Sequence, residues 1–252
     1  MSDRPAHSSF RFSAPLSTGA QASHEVHFSG SGPPILILQE LPGIGPQTLE
    51  LAARLNRAGF STYLPHLFGP FGREAIAANA LRLFCVRREF HLFRRGGQSP
   101  VAAWIAALVA EIDSRAGGQG VGVIGMCLTG SFALPLMAED AVQAAVASQP
   151  SLPLLGGSHL HMSAAEITAA KHAMDRKGPA LAIRFRDDRL STRAHMRAVE
   201  AAFGDAVQVV EYPGRGHSLL TLDFHAPAYA RVERYFRSRF GLETGNPRQG
   251  RD

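Results

Sequence analysis

Cys127 has the setting in this chain that points most directly to chemistry. It lies in GVGVIGMCLTG, Gly120 to Gly130, between an apolar run that suits a strand and a second run that suits a helix. A side chain at such a junction sits on a sharp, strained turn, and the positions around it must be small for the backbone to fold beneath it. Gly125 stands two residues before Cys127 and Thr129 two after. A cysteine attacks as the thiolate. With an ordinary pKa of about 8.5 it needs a neighbouring base or the positive end of a helix at neutral pH. The other cysteine, Cys85, falls on an apolar helical face and reads as a small buried hydrophobe.

A base is available in GRGHSLL, where His217 follows a strand and precedes the last helix, which makes it the best placed of the 11 histidines. It would take the thiol proton and return one to a leaving alkoxide. The third role, fixing the imidazole tautomer and stabilising its charged form, falls to Asp187 or Asp188, which compete for it in RFRDDRLS. Backbone N–H groups of Leu128, next to the nucleophile, and Leu41, after the first apolar strand, would hold the developing oxyanion. Glu40 follows that same strand, in ILILQELPGIG. As an alternative it caps the turn by accepting backbone hydrogen bonds.

These residues share a feature of position. Glu40, Cys127, Asp188 and His217 each follow a predicted strand, and in an open parallel sheet the loops at the carboxyl ends of strands converge over one crevice. The predicted strands are Pro34 to Gln39, Ser61 to Leu64, Val121 to Ile124, Ala144 to Ala147, Ala180 to Phe185 and Val207 to Glu211. Short continuous apolar runs of this kind suit strands buried on both faces. Helices are predicted over Gln47 to Ala58, Ala75 to Arg88, Pro100 to Ile112, Leu128 to Ala138, Ser163 to Met174, Arg193 to Phe203 and Ala226 to Phe240. Ser99 with Pro100 and the Ser163, Glu166 pair supply start signals. Gly59, Gly117 and Gly118 supply stops. Alternating strands and helices predict an α/β fold with a mostly parallel, doubly wound sheet and helices on both faces.

Composition narrows the field. A chain of 252 residues, 45% hydrophobic, can bury one large core, so the reading is a single domain with its core at about 34–240 and loose termini. The net charge of +5 is spread along the chain without a dense basic stripe, so no nucleic-acid partner is expected. Its cations are arginines apart from Lys171 and Lys177, and arginine suits the gripping of carboxylates. Two cysteines imply no disulfide framework and favour a reducing, cytoplasmic setting. There is no apolar run of about 18 residues, the length a membrane helix needs, so no membrane partner is expected. Gly120, Gly122 and Gly125 form a literal G-x-G-x-x-G, but they begin before the strand and lie within it, the wrong place for a dinucleotide turn. His159 and His161 lack further ligands at familiar spacing, so neither metal nor cofactor is expected. Monomer and homodimer both fit the sequence.

ILILQELPGIG, GMCLTG, RFRDDRLS and GRGHSLLT together resemble the dienelactone hydrolase family over roughly Pro34 to Phe240. The resemblance implies an α/β-hydrolase fold and a Cys, Asp, His triad working without added cofactor on an ester or lactone of a small, anionic or neutral molecule. It favours Asp188 over Asp187. It also implies that Glu40 contacts the resting Cys127 and is displaced when substrate arrives. Three positions depart from the family pattern: Thr129 stands where glycine is usual, Asp187 where glycine is commoner, and HSLLTLD lacks the arginine that would hold a substrate carboxylate. Arg87 and Arg88 are the candidates for that binding role, with Arg94 and Arg95 behind them. The rival reading is a hydrolase-fold protein that only binds a small ligand.

Overall fold

The computed structural model describes residues 8–40, 43–73, 100–151, 160 and 162–242. Its eight strands are β1 (Ser8–Pro15), β2 (Gln21–Gly30), β3 (Pro34–Leu38), β4 (Ser61–His66), β5 (Val121–Met126), β6 (Val142–Ser148), β7 (Ala180–Phe185) and β8 (Val207–Tyr212). They form one sheet in the order β1-β2-β4-β3-β5-β6-β7-β8. β1 pairs antiparallel with β2, and β2 with β4; every later pairing is parallel. This is the mostly parallel α/β sheet that the alternating pattern predicts.

Period-two alternation divides the interior. Leu36, Leu38, Val123, Ala145 and Ala182 face one apolar cluster, Ile35, Ile37, Ile124, Val146 and Ile183 the other. The first is covered by α2 (Pro100–Arg115), α4 (Ala164–Lys177) and α5 (Arg193–Phe203), through side chains such as Trp104, Met174 and Phe203. The second is covered by α1 (Pro46–Arg57) and α6 (Ala226–Arg239), through Leu51, Leu55, Val232 and Phe236. Each such fully buried side chain contributes about 1.5–3 kcal/mol against exposure, and burial on both faces is why the central strands read as unbroken apolar runs.

The structure departs from the sequence reading in two places. Ser8–Gly30, which that reading puts ahead of the core, supplies β1 and β2. Their alternation of Phe10, Phe12 and Ala14, then Ala22 and Val26, against polar residues is the mark of strands covered on one face only. The other departure follows Cys127. In place of one helix over Leu128 to Ala138, the chain makes a 3-10 turn (Cys127–Thr129), a single turn α3 (Gly130–Ala133) and another 3-10 turn (Pro135–Ala138). Pro135 has no N–H to continue the helical ladder. The predicted helix over Ala75 to Arg88 lies outside the described residues.

Candidate active site

In-register pairing aligns the strand ends. Leu38 lies opposite Gly125, Met126 opposite Ser148, and Phe185 opposite Tyr212. The loops carrying Glu40, Cys127, Gln149, Asp188 and His217 therefore leave the sheet along one rim.

Cys127 opens the turn after β5 with φ 54°, one of two non-glycine residues at positive φ among those described. That conformation costs a non-glycine residue of order 1–3 kcal/mol. Packing enforces it. A Cβ on Gly125 would stand 2.3 Å from the Thr129 carbonyl oxygen, and one on Gly130 would stand 2.8 Å from Cα of Pro150. Thr129, in the place where the resemblance leads one to expect glycine, is fully buried. Its Oγ1 accepts from the Met126 N–H at 3.0 Å, and its proton can go to the carbonyl of Leu38 at 3.1 Å or of Met126 at 3.0 Å. The threonine thus ties the turn to β3. Gly120, Gly122 and Gly125 serve packing: a Cβ on Gly122 would meet Ile35 at 2.5 Å.

His217 and Asp188 stand together. Nδ1 of His217 donates to Oδ2 of Asp188 at 2.7 Å, and Oδ1 of Asp188 accepts from the backbone of Leu190 at 2.8 Å and Ser191 at 3.1 Å. Asp188 is buried, while Asp187 is exposed. Nε2 of His217 is buried without a hydrogen-bond partner. Cys127 is near enough to act on the imidazole. Burial alone would lower the His217 pKa, but the hydrogen bond to Asp188, the interaction with the Cys127 thiol and the charges of both groups outweigh it, and the pKa is pushed up to about 10.

The groups expected beside Cys127 are placed as follows. The hydrogen bonds described for Glu40 go to residues other than Cys127. Its carboxylate accepts from Ser218 Oγ at 2.7 Å, from Gln149 Nε2 at 3.3 Å and from the Thr221 hydroxyl, two of these being donors in the segment after His217. Burial pushes its pKa up, against the hydrogen bonds of Thr221 and Ser218 and the charge of His217. The Cys127 thiol instead meets the Ser151 hydroxyl at 3.3 Å. The sequence gives no sign of this contact beyond a serine shortly after β6. Leu128 is buried as the second residue of the turn, where backbone N–H groups lack intrahelical acceptors. Leu41, Cys85, Arg87, Arg88, Arg94, Arg95, His159 and His161 lie outside the described residues. No three His, Cys, Asp or Glu side chains among the described residues are grouped to hold a metal ion, and no described helix is long and apolar enough to cross a membrane.

Comparison with solved structures finds the same fold repeatedly. A dienelactone hydrolase from Anabaena variabilis is similar at TM-score 0.62 and 17% identity, over 93% of this chain and 98% of that one. A dienelactone hydrolase-like promiscuous phosphotriesterase from metagenomic libraries aligns at TM-score 0.59 and 18% identity, over 92% and 98%. A cold-adapted esterase from an Arctic intertidal metagenomic library aligns at TM-score 0.59 and 19% identity, over 90% and 93%. At such identities the likeness speaks for the fold. No curated protein matches the chain. The family model of the dienelactone hydrolases matches residues 22–234, a span that takes in β3 to β8, all of β2 but its first residue, and the five residues named at the rim. The chain belongs to the dienelactone hydrolase family, carboxylic ester hydrolases of the α/β-hydrolase fold.

Proposed function

We propose that the protein hydrolyses the ester or lactone bond of a small molecule, anionic ones included, through a thioester on Cys127. The observation that carries this reading is the 2.7 Å hydrogen bond from His217 to Asp188, with the opposite ring nitrogen unpartnered and Cys127 acting on the same imidazole.

The Cys127 thiolate attacks the carbonyl carbon, and the oxyanion so formed is held by the Leu128 N–H and, by its place in the sequence, that of Leu41. Collapse breaks the bond to the alkoxide, which takes the proton from Nε2 of His217. In a lactone the alkoxide stays tethered to the acyl group. Neutral His217 then takes a proton from water as its oxygen attacks the thioester. The acid leaves and the thiolate and imidazolium are restored. Asp188 holds the imidazole throughout. Arg87 and Arg88 are the candidates, by sequence, for gripping a substrate carboxylate.

The experiment is turnover of p-nitrophenyl acetate by wild type and by Cys127→Ala, with circular dichroism to check the fold. Cys127→Ala should fold and lose turnover. A folded variant that keeps it would exclude Cys127 as the nucleophile.

A further inference from the structure

β7 reads ALAIRF, an apolar strand interrupted by one arginine, and Arg184 is fully buried. Sinking a guanidinium into a protein costs several kcal/mol unless its donors are all answered. Here they are. Nε donates to Glu211 on the neighbouring strand at 2.8 Å, and Nη2 reaches the same oxygen at 2.6 Å. That ion pair follows from register, because Arg184 lies opposite Glu211 in the β7–β8 ladder. The remaining donors turn upward. Nη2 donates to the carbonyl of Arg186 at 2.9 Å and Nη1 to the carbonyl of Ser191.

Those two carbonyls bracket Asp188. Ser191 is the busier anchor: its N–H donates to Oδ1 of Asp188 at 3.1 Å, its carbonyl accepts from Arg184, and its hydroxyl donates to the Pro150 carbonyl at 2.8 Å, next to the Ser151 that touches Cys127. The planar fork of arginine can span two carbonyls and a carboxylate at once, whereas a lysine ammonium on a flexible stem cannot hold all three in place. We infer that Arg184 is a positioning residue for this site: by clamping the Arg186 and Ser191 carbonyls it fixes the Asp188 carboxylate against Nδ1 of His217. The inference rests on the Cys127, His217, Asp188 reading given above.

The test compares wild type with Arg184→Lys, Glu211→Gln and Asp188→Asn, reading kcat and KM on an activated ester, the His217 titration by NMR, and the melting temperature. Arg184→Lys keeps a charge for Glu211 but loses the two-carbonyl clamp. It should lower kcat roughly 10- to 100-fold with KM little changed. Its His217 should titrate below the wild-type value. Glu211→Gln removes the ion pair and leaves the clamp, so its kcat and His217 titration should stay near wild type even if it melts earlier. Two results would overturn the inference: an Arg184→Lys protein with an unchanged His217 titration and kcat, or a Glu211→Gln protein in which both fall. Should Arg184→Lys fail to fold, the Glu211→Gln comparison decides in the same way. Asp188→Asn separates the two levels. If that variant keeps wild-type kcat, the triad reading itself fails; if it loses activity while Arg184→Lys does not, only the clamp fails.

Discussion

The Ser218 hydroxyl, one residue beyond His217, donates a 2.7 Å hydrogen bond to Oε2 of Glu40, two residues past β3. With Thr221 it makes Glu40 the buried post to which the segment after His217 is tied, across a sequence separation of about 180 residues. Glu40→Ala strands these donors and should cost about 1–3 kcal/mol for each one left buried without an acceptor. The pH dependence has a definite sign. Because the Glu40 pKa is raised above 4.5, the fold favours the neutral carboxyl, so this site's contribution is greatest below 4.5 and falls as pH rises through the raised value. Urea unfolding across pH checks both points: Glu40→Gln should lack that fall, and Glu40→Ala as stable as wild type at neutral pH would remove the post.

His217 should hold its proton through neutral pH. Its folded pKa of about 10 exceeds the ordinary 6.5, so the stability it adds is fully present below 6.5 and is lost as pH rises through about 10. In the proposed mechanism the imidazolium is also the acid for the leaving alkoxide, so kcat/KM should decline on the same alkaline limb. NMR of the ring should show titration near 10 in wild type and lower in both Cys127→Ala and Asp188→Asn, which each remove one partner. A wild-type ring titrating near 6.5 would contradict this.

Two glycines of one strand should respond differently to the same methyl group. In Gly125→Ala the new carbon lands 2.3 Å from a backbone oxygen, that of Thr129, inside a turn that cannot shift without moving Cys127. In Gly122→Ala the nearest atom is the end of the Ile35 side chain at 2.5 Å, followed by the Phe236 ring at 2.8 Å. Overpacking of the second kind costs about 1–3 kcal/mol and should spare turnover in the folded fraction. Gly125→Ala should lose turnover along with stability. Thermal melts paired with ester assays measure the difference, and equal specific activity in the two folded variants would argue against a strained turn.

Much of this was legible because strands buried on both faces announce themselves. PILIL and VGVIGM are apolar without alternation, as is ALAIRF but for Arg184, and the predicted bounds of β7 and of the helix Arg193–Phe203 match the structure. The capping pair Ser163 and Glu166 forms as its spacing predicts, with Ser163 N–H donating to Glu166 at 2.8 Å. The candidate residues were findable because parallel strands deliver their loops to one rim. β1 and β2 escaped because strands covered on one face alternate apolar with serine and histidine, a weaker signal than a solid run. The partners of Glu40, the Ser151 contact and the Arg184 clamp escaped for another reason. Each depends on which distant segments the register brings together, as when Arg184 meets Glu211, and spacing along the chain carries no trace of that.

The central claim, a covalent intermediate on Cys127, can be read directly by mass. Mixing the protein with p-nitrophenyl acetate and quenching in acid within the first turnovers should yield a fraction heavier by one acetyl group. Peptide mapping should put that group on Cys127, and Asp188→Asn and His217→Ala should each accumulate it more slowly. Release of p-nitrophenol with no acetylated protein at any time, or with the acetyl group on another residue, would contradict the account.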